Sequence, residues 1–241
     1  MSFSRAKELG LSFTREALYQ AVDLTNQALE LDPNFTMALV WQGWNHDLLA
    51  WSGWCESAPK CWEQAIAYGQ RALAIDASLD YAHALLGEVY IMYKRDYEAG
   101  IRELETAATL NPNSAKTQAL LAQYLPNVGR STEAVEAIKR AWRLNPFPDD
   151  WYLDAAGSAY HGVGQYEKAA AAWRECARRL PDYIWCPLEL TFLYMKTGRE
   201  EGARAQVKEV LRINPRFRLG DWTWVFQESD VAHLRKAGLP E

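Results

Sequence analysis

A short phrase that returns along this chain at nearly constant spacing limits its possible folds more than any other feature. It has the form Ala-(apolar)-x-(Leu/Ile)-(Asp/Asn)-Pro, with substitutions, and its copies end at Pro33, Ala77 in place of Pro, Pro112, Pro146, Pro181 and Pro215. The intervals are 44, 35, 34, 35 and 34 residues, so four of the five share one period. A repeat of that length is a single supersecondary unit. It cannot hide its oily flank alone and must stack on its neighbours.

Each interval holds two runs with the three- and four-residue spacing of a helix face. In the third unit these are His83, Leu86, Gly87 and Tyr90, then Gly100, Leu104 and Ala107. The fourth unit has Gln118, Leu121, Ala122 and Leu125, then Ala134, Ile138 and Ala141. The fifth has Leu153, Ala156, Gly157 and Tyr160, then Ala169, Trp173 and Cys176, and the sixth Pro187, Leu190, Thr191 and Tyr194, then Ala203, Val207 and Val210. Small residues let a neighbouring helix sit close, and large ones a turn away fill the remaining groove. Gly129, Gly164 and Gly198 fall where the first helix turns into the second, a place that favours left-handed backbone. The prolines punctuate the chain between units.

The expected organisation is a solenoid over 1–217, in units of about 1–35, 36–79, 80–114, 115–148, 149–183 and 184–217, then a capping segment over 218–241. In the second unit Ala65 follows His46 by 19 positions instead of 9, which predicts an inserted loop over 47–60. The third unit carries one extra residue between its helices. The last unit needs a cover for its apolar flank, and Trp222 and Trp224 are candidates for it, with a short helix near 230–236.

These residues resemble the tetratricopeptide-repeat family over about 14–217. The resemblance implies an all-α, right-handed superhelical solenoid of antiparallel helix pairs, used as a protein-interaction scaffold. Some members hold the carboxylate of a chaperone tail in a clamp of Lys and Asn on three successive first helices. The matching places here hold Ala84, Glu88 and Ala119, so that clamp is absent. A second set of phrases is similar to the C-terminal repeat regions of bacterial class III adenylate/guanylate cyclases and winged-helix regulators. These are Phe13-Thr14-Arg15-Glu16, Trp51-Ser52-Gly53-Trp54, the stretch from Pro146 to Tyr152, and Leu234 to Pro240. That likeness implies an alternative role as an accessory regulatory or dimerisation module.

In a solenoid of this kind the first helices line the concave side, and their outward residues decide what docks. Helical spacing places Met37, Val40, Trp44 and Asp47 there, then Tyr81, Ala84, Glu88 and Ile91, followed by Lys116, Ala119 and Gln123. The fifth unit offers Trp151, Asp154, Ser158 and His161, and the sixth Trp185, Leu188, Phe192 and Met195. Aromatic and Met side chains on such a face are the usual anchors of peptide binding, although the same residues also serve as internal packing. Trp151, Trp185, Phe192 and Met195 are the expected anchors for a protein or peptide partner, and a homodimer is a further expectation.

The net charge of −5 and pI near 5.5 give no basic footprint for nucleic acid or an anionic membrane surface. No apolar run approaches the ~18 residues of a membrane span, and residues 1–11 do not read as a signal peptide. These features, with only four cysteines, lead to a cytoplasmic expectation with the cysteines as thiols. Cys55 and Cys61 have two other readings, a bridge in an oxidising compartment or a metal site with His46, while Cys176 and Cys186 are expected to pack as small apolar residues. Phosphate loops, Gly-x-Ser-x-Gly and His-Glu-x-x-His are missing, and no acid–base pair emerges among His46, His83, His161 and His233. No catalytic residue, metal or cofactor is expected.

Overall fold

The computed structural model describes residues 2–222 and 228–241, and every regular element among them is helical. Six antiparallel pairs follow one another: α1 (Ser2–Gly10) with α2 (Arg15–Leu31), α3 (Thr36–Trp51) with α4 (Ala58–Ile75), and α5 (Asp80–Val89) with α6 (Tyr97–Leu110). Next come α7 (Ala115–Tyr124) with α8 (Ser131–Leu144), α9 (Tyr152–Gly162) with α10 (Tyr166–Arg179), and α11 (Trp185–Lys196) with α12 (Glu200–Ile213). The chain ends in α13 (Glu228–Ala237). Each pair packs on the next, giving the all-α solenoid that the repeat demanded.

The recurring phrase explains the joints. At the end of a second helix the Asp or Asn side chain accepts the amide two residues on, as in Asn34 to Asp32 (3.0 Å), Asn113 to Asn111 (3.2 Å) and Arg216 to Asn214 (3.1 Å). This closed local turn, together with the proline, stops one helix and aims the next. The small residues of the second helices, among them Ala21, Ala107, Ala141, Ala169 and Ala203, are fully buried between pairs. Gly157 shows the logic at its tightest, since a Cβ there would overlap the Trp173 indole on the facing helix.

Gly129, Gly164 and Gly198 take φ near +75° where first helices end, at +77°, +73° and +74°. In the third unit the equivalent turn is made by Arg95 at φ +57°. The extra residue of that unit is absorbed just before it, as a single widened turn over Tyr90–Lys94 at the end of α5.

Two expectations need correction. The insertion of the second unit is not a loop over 47–60. It lengthens both α3 and α4 and leaves only 52–57 as connection, because Asp47, Leu49, Ala50 and Trp51 are buried helical residues. The cysteines are not thiols: Cys55 is bonded to Cys61 and Cys176 to Cys186, with Cα atoms 6.6 and 6.2 Å apart. The first bridge clips the connection to α4, and the second ties α10 to α11 across the linker that carries Tyr183. Disulfides persist in oxidising surroundings.

The end of the solenoid is covered by α13, which packs on α11 and α12 and buries Leu234, Ala237 and, just beyond it, Leu239. Phe217 and Leu219 are buried beside them, and the Leu219 amide donates to the Pro240 carbonyl at 2.8 Å. Of the two tryptophans expected to form this cover, Trp222 ends a short 3-10 turn (Leu219–Trp222) and Trp224 lies outside the described residues.

Two outcomes follow. Denatured without reductant, the protein should show no titratable thiol, and after reduction four; thiols detected before reduction would contradict the pairing. Gly157→Ala should lower stability by about 1–3 kcal/mol through the forced shift of Trp173. An unchanged melting curve by circular dichroism would show that the close approach is not needed.

Candidate functional site

The solenoid curls until its second unit touches its sixth. Phe13, between α1 and α2, lies edge-on to Tyr183 with ring centroids 5.1 Å apart. Trp51, the last residue of α3, meets Tyr183 at 5.4 Å and Trp185 at 6.1 Å. The concave side is therefore narrowed to a partly open cavity of about 700 Å³. Both disulfides flank this aromatic contact, one just after Trp51 and the other across the 180–184 linker.

The structure brings most of the expected concave residues to this cavity. Trp44, Glu88, Gln123 and Trp151 line one part of it, and Asp154, His161, Trp185, Leu188 and Phe192 another. Tyr81 and Met195 do not line it. Tyr81 packs edge-on against Trp44 with centroids 5.7 Å apart, and Met195 is buried in the helix packing. Val40, Asp47, Ala84 and Ala119, expected on an open face, are fully buried. The curl explains this, because first helices of neighbouring units, such as α7 and α9, press directly on one another.

Inside the cavity, buried acids hold aromatic rings. Glu88 accepts from Trp44 Nε1 at 3.0 Å and from the Tyr124 hydroxyl at 3.4 Å, joining α3, α5 and α7. Asp154 accepts from Trp173 Nε1 at 2.8 Å, the Tyr183 hydroxyl at 2.9 Å and Gln123 Nε2 at 3.2 Å, joining unit four to unit five and to the linker that leads to α11. Behind the wall, Asp47 accepts from Trp62 Nε1 at 2.9 Å. Burial pushes the Asp154 carboxyl up to about 6, with the Tyr183 and Trp173 hydrogen bonds opposing it. Burial also raises Glu88, Tyr124 and Tyr183, so the two phenols remain donors.

Lys116 lies over the Trp44 ring at 3.2 Å and the Trp41 ring at 5.0 Å, and burial draws its pKa down to about 8 against the pull of Glu88. Burial, aided by Lys196, takes His161 down to about 4, so its ring is neutral at pH 7; it contacts Phe192 at 5.7 Å. Among the described residues no group of three or more His, Cys, Asp or Glu is placed to hold a metal, and no helix is long and apolar enough to cross a membrane.

Sequence reading missed Trp41, Trp51, Tyr124, Tyr183 and Arg95 as cavity residues. Trp41 had a signal, since it stands one helical turn before Trp44. Tyr183 had none, because it lies in a linker and reaches the cavity only through the closure.

No family model matches this sequence, and no curated protein is recognisably similar to it. The fold, however, is that of the tetratricopeptide-repeat proteins. The chain is similar to human IFIT1, solved as a dimer with m7Gppp-AAAA, at 17% identity and a TM-score of 0.67, over 92% of this chain and 54% of that one. It is similar to a thermophilic TPR protein of Thermus thermophilus at 20% identity and a TM-score of 0.57, over 81% and 97%. PilW, a type IV pilus biogenesis factor, matches at 18% identity and 0.57, over 80% and 87%.

Asp154 yields a pH dependence. Its folded pKa of about 6 lies above the unfolded value of about 4, so its burial cost is fully present at pH 7 and is relieved as pH falls through 6 toward 4. Relative to Asp154→Asn, the native protein should gain about 2 kcal/mol between pH 7 and pH 4. Chemical denaturation at both pH values measures this, and an unchanged difference would contradict the assignment.

Proposed function

We propose that this protein is a non-catalytic scaffold that binds a short extended segment of a partner protein in its aromatic cavity. The observation that carries this reading is the partly open space of about 700 Å³, walled by first helices of units two to six and rich in Trp, Tyr and Phe. It lies within the ~300–1,000 Å³ of ordinary ligand sites, too narrow for a groove that receives a whole helix but ample for a few residues of extended chain. Rigid aromatic walls supply contact area at small entropic cost.

The tetratricopeptide-repeat fold supports the scaffold reading in general terms. A capped RNA, as in the human IFIT1 structure, suits this chain poorly. The net charge is −5, and Glu88 and Asp154 stand in the wall, whereas a phosphate backbone calls for many cations. The disulfides favour a partner met in an oxidising compartment.

Trp151 and Phe192 are the anchors to test, since Phe192 is only partly buried and neither belongs to the aromatic closure. Replacing both by Ala should weaken peptide capture by roughly 10-fold or more while helicity is retained. Unchanged affinity in calorimetry with a selected peptide would refute the anchor assignment.

A further inference from the structure

Among the described residues, one buried side-chain nitrogen on the cavity wall has no hydrogen-bond partner. Among the described residues, four buried side-chain polar atoms lack a hydrogen-bond partner: Asn45 Oδ1, His46 Nδ1, Asp47 Oδ2 and Arg95 Nη1. Of these residues only Arg95 lines the cavity. The carboxylates of Glu88 and Asp154 are already engaged by indole, phenol and amide donors. Lys116 is seated on Trp44 beside Glu88, and Lys196 reaches the neutral His161 at 3.4 Å.

The backbone at Arg95 makes a second, independent point. Four sister units place Gly in left-handed backbone where the first helix ends (Gly53, Gly129, Gly164 and Gly198), the first unit has Phe13 there at φ +52°, and this unit has Arg at φ +57°. A Cβ in that conformation is unfavourable, and nothing local requires a side chain, since the turn is made equally well by Gly129, Gly164 and Gly198. The guanidinium carbon lies 5.7 Å from the Tyr97 ring.

Building on the peptide-binding reading above, we propose that Arg95 is the anion-recognising residue of the cavity, pairing with an Asp or Glu side chain of a segment whose neighbouring aromatic residue enters the Trp-lined interior. The planar guanidinium presents two parallel donors that match a carboxylate, and in a partly buried site such a pair is stronger than in water. A single carboxylate suits one free cation, where a polyanion does not. The occupant is thus a short acidic-aromatic segment.

The test is selection of random heptapeptides displayed on phage against the full chain and against Arg95→Gly. Glycine accepts the left-handed backbone, so this variant removes the guanidinium and should melt at the same temperature or higher. Peptides selected on the native chain should combine an aromatic residue with Asp or Glu. Converting that acid to its amide should weaken binding about 10- to 100-fold on the native chain and no more than about twofold on Arg95→Gly. Equal losses on both, no loss on either, or a lower melting temperature for the variant would overturn the assignment and leave the peptide-binding reading intact. Failure to select any peptide would overturn both.

Discussion

Everything in this molecule depends on each helix pair being unable to bury its apolar flank by itself. The small residues at fixed places in second helices let the next pair in, and the Asx turn with its proline sets the angle at which it arrives. Repetition of one local joint makes a superhelix, and a superhelix of this curvature meets itself after four further pairs. The contact of Phe13 and Trp51 with Tyr183 and Trp185 is the result. It turns a concave face into a narrowed, partly open site.

Closure also decides the chemistry inside. First helices that would border an open groove are pressed together, so acids and tryptophans become mutual partners. Glu88 and Asp154 each gather donors from neighbouring units and lock the aromatic walls in place. A wall held in this way would lose little freedom on ordering around a ligand. The same closure places each disulfide beside a stretch of chain that bears a contact residue, where it restrains the segment on which closure relies.

Much of the fold was legible in the sequence because it is encoded locally. The 34-residue period, the small residues of the second helices and the glycines at φ near +75° all act within one or two units. Most of the concave residues were legible too, since helical spacing alone orients Trp44, Glu88, Asp154 and Phe192. What could not be read depends on curvature summed over several joints: the burial of Val40 and Ala119, the use of Tyr183, and the narrowing of the groove to a cavity. Pairing of cysteines was hidden for a related reason, since it turns on how a connection folds back and not on spacing. The insertion misled because its residues continue the helical pattern of α3 and α4 and do not break it.

Small-angle X-ray scattering of the monomer at high dilution tests the closure most directly. A chain curled on itself should give a radius of gyration close to that of a compact body of this length, about 18 Å. A value larger by several ångströms, with the extended profile of an open superhelix, would contradict the contact between the ends of the solenoid on which the functional account rests.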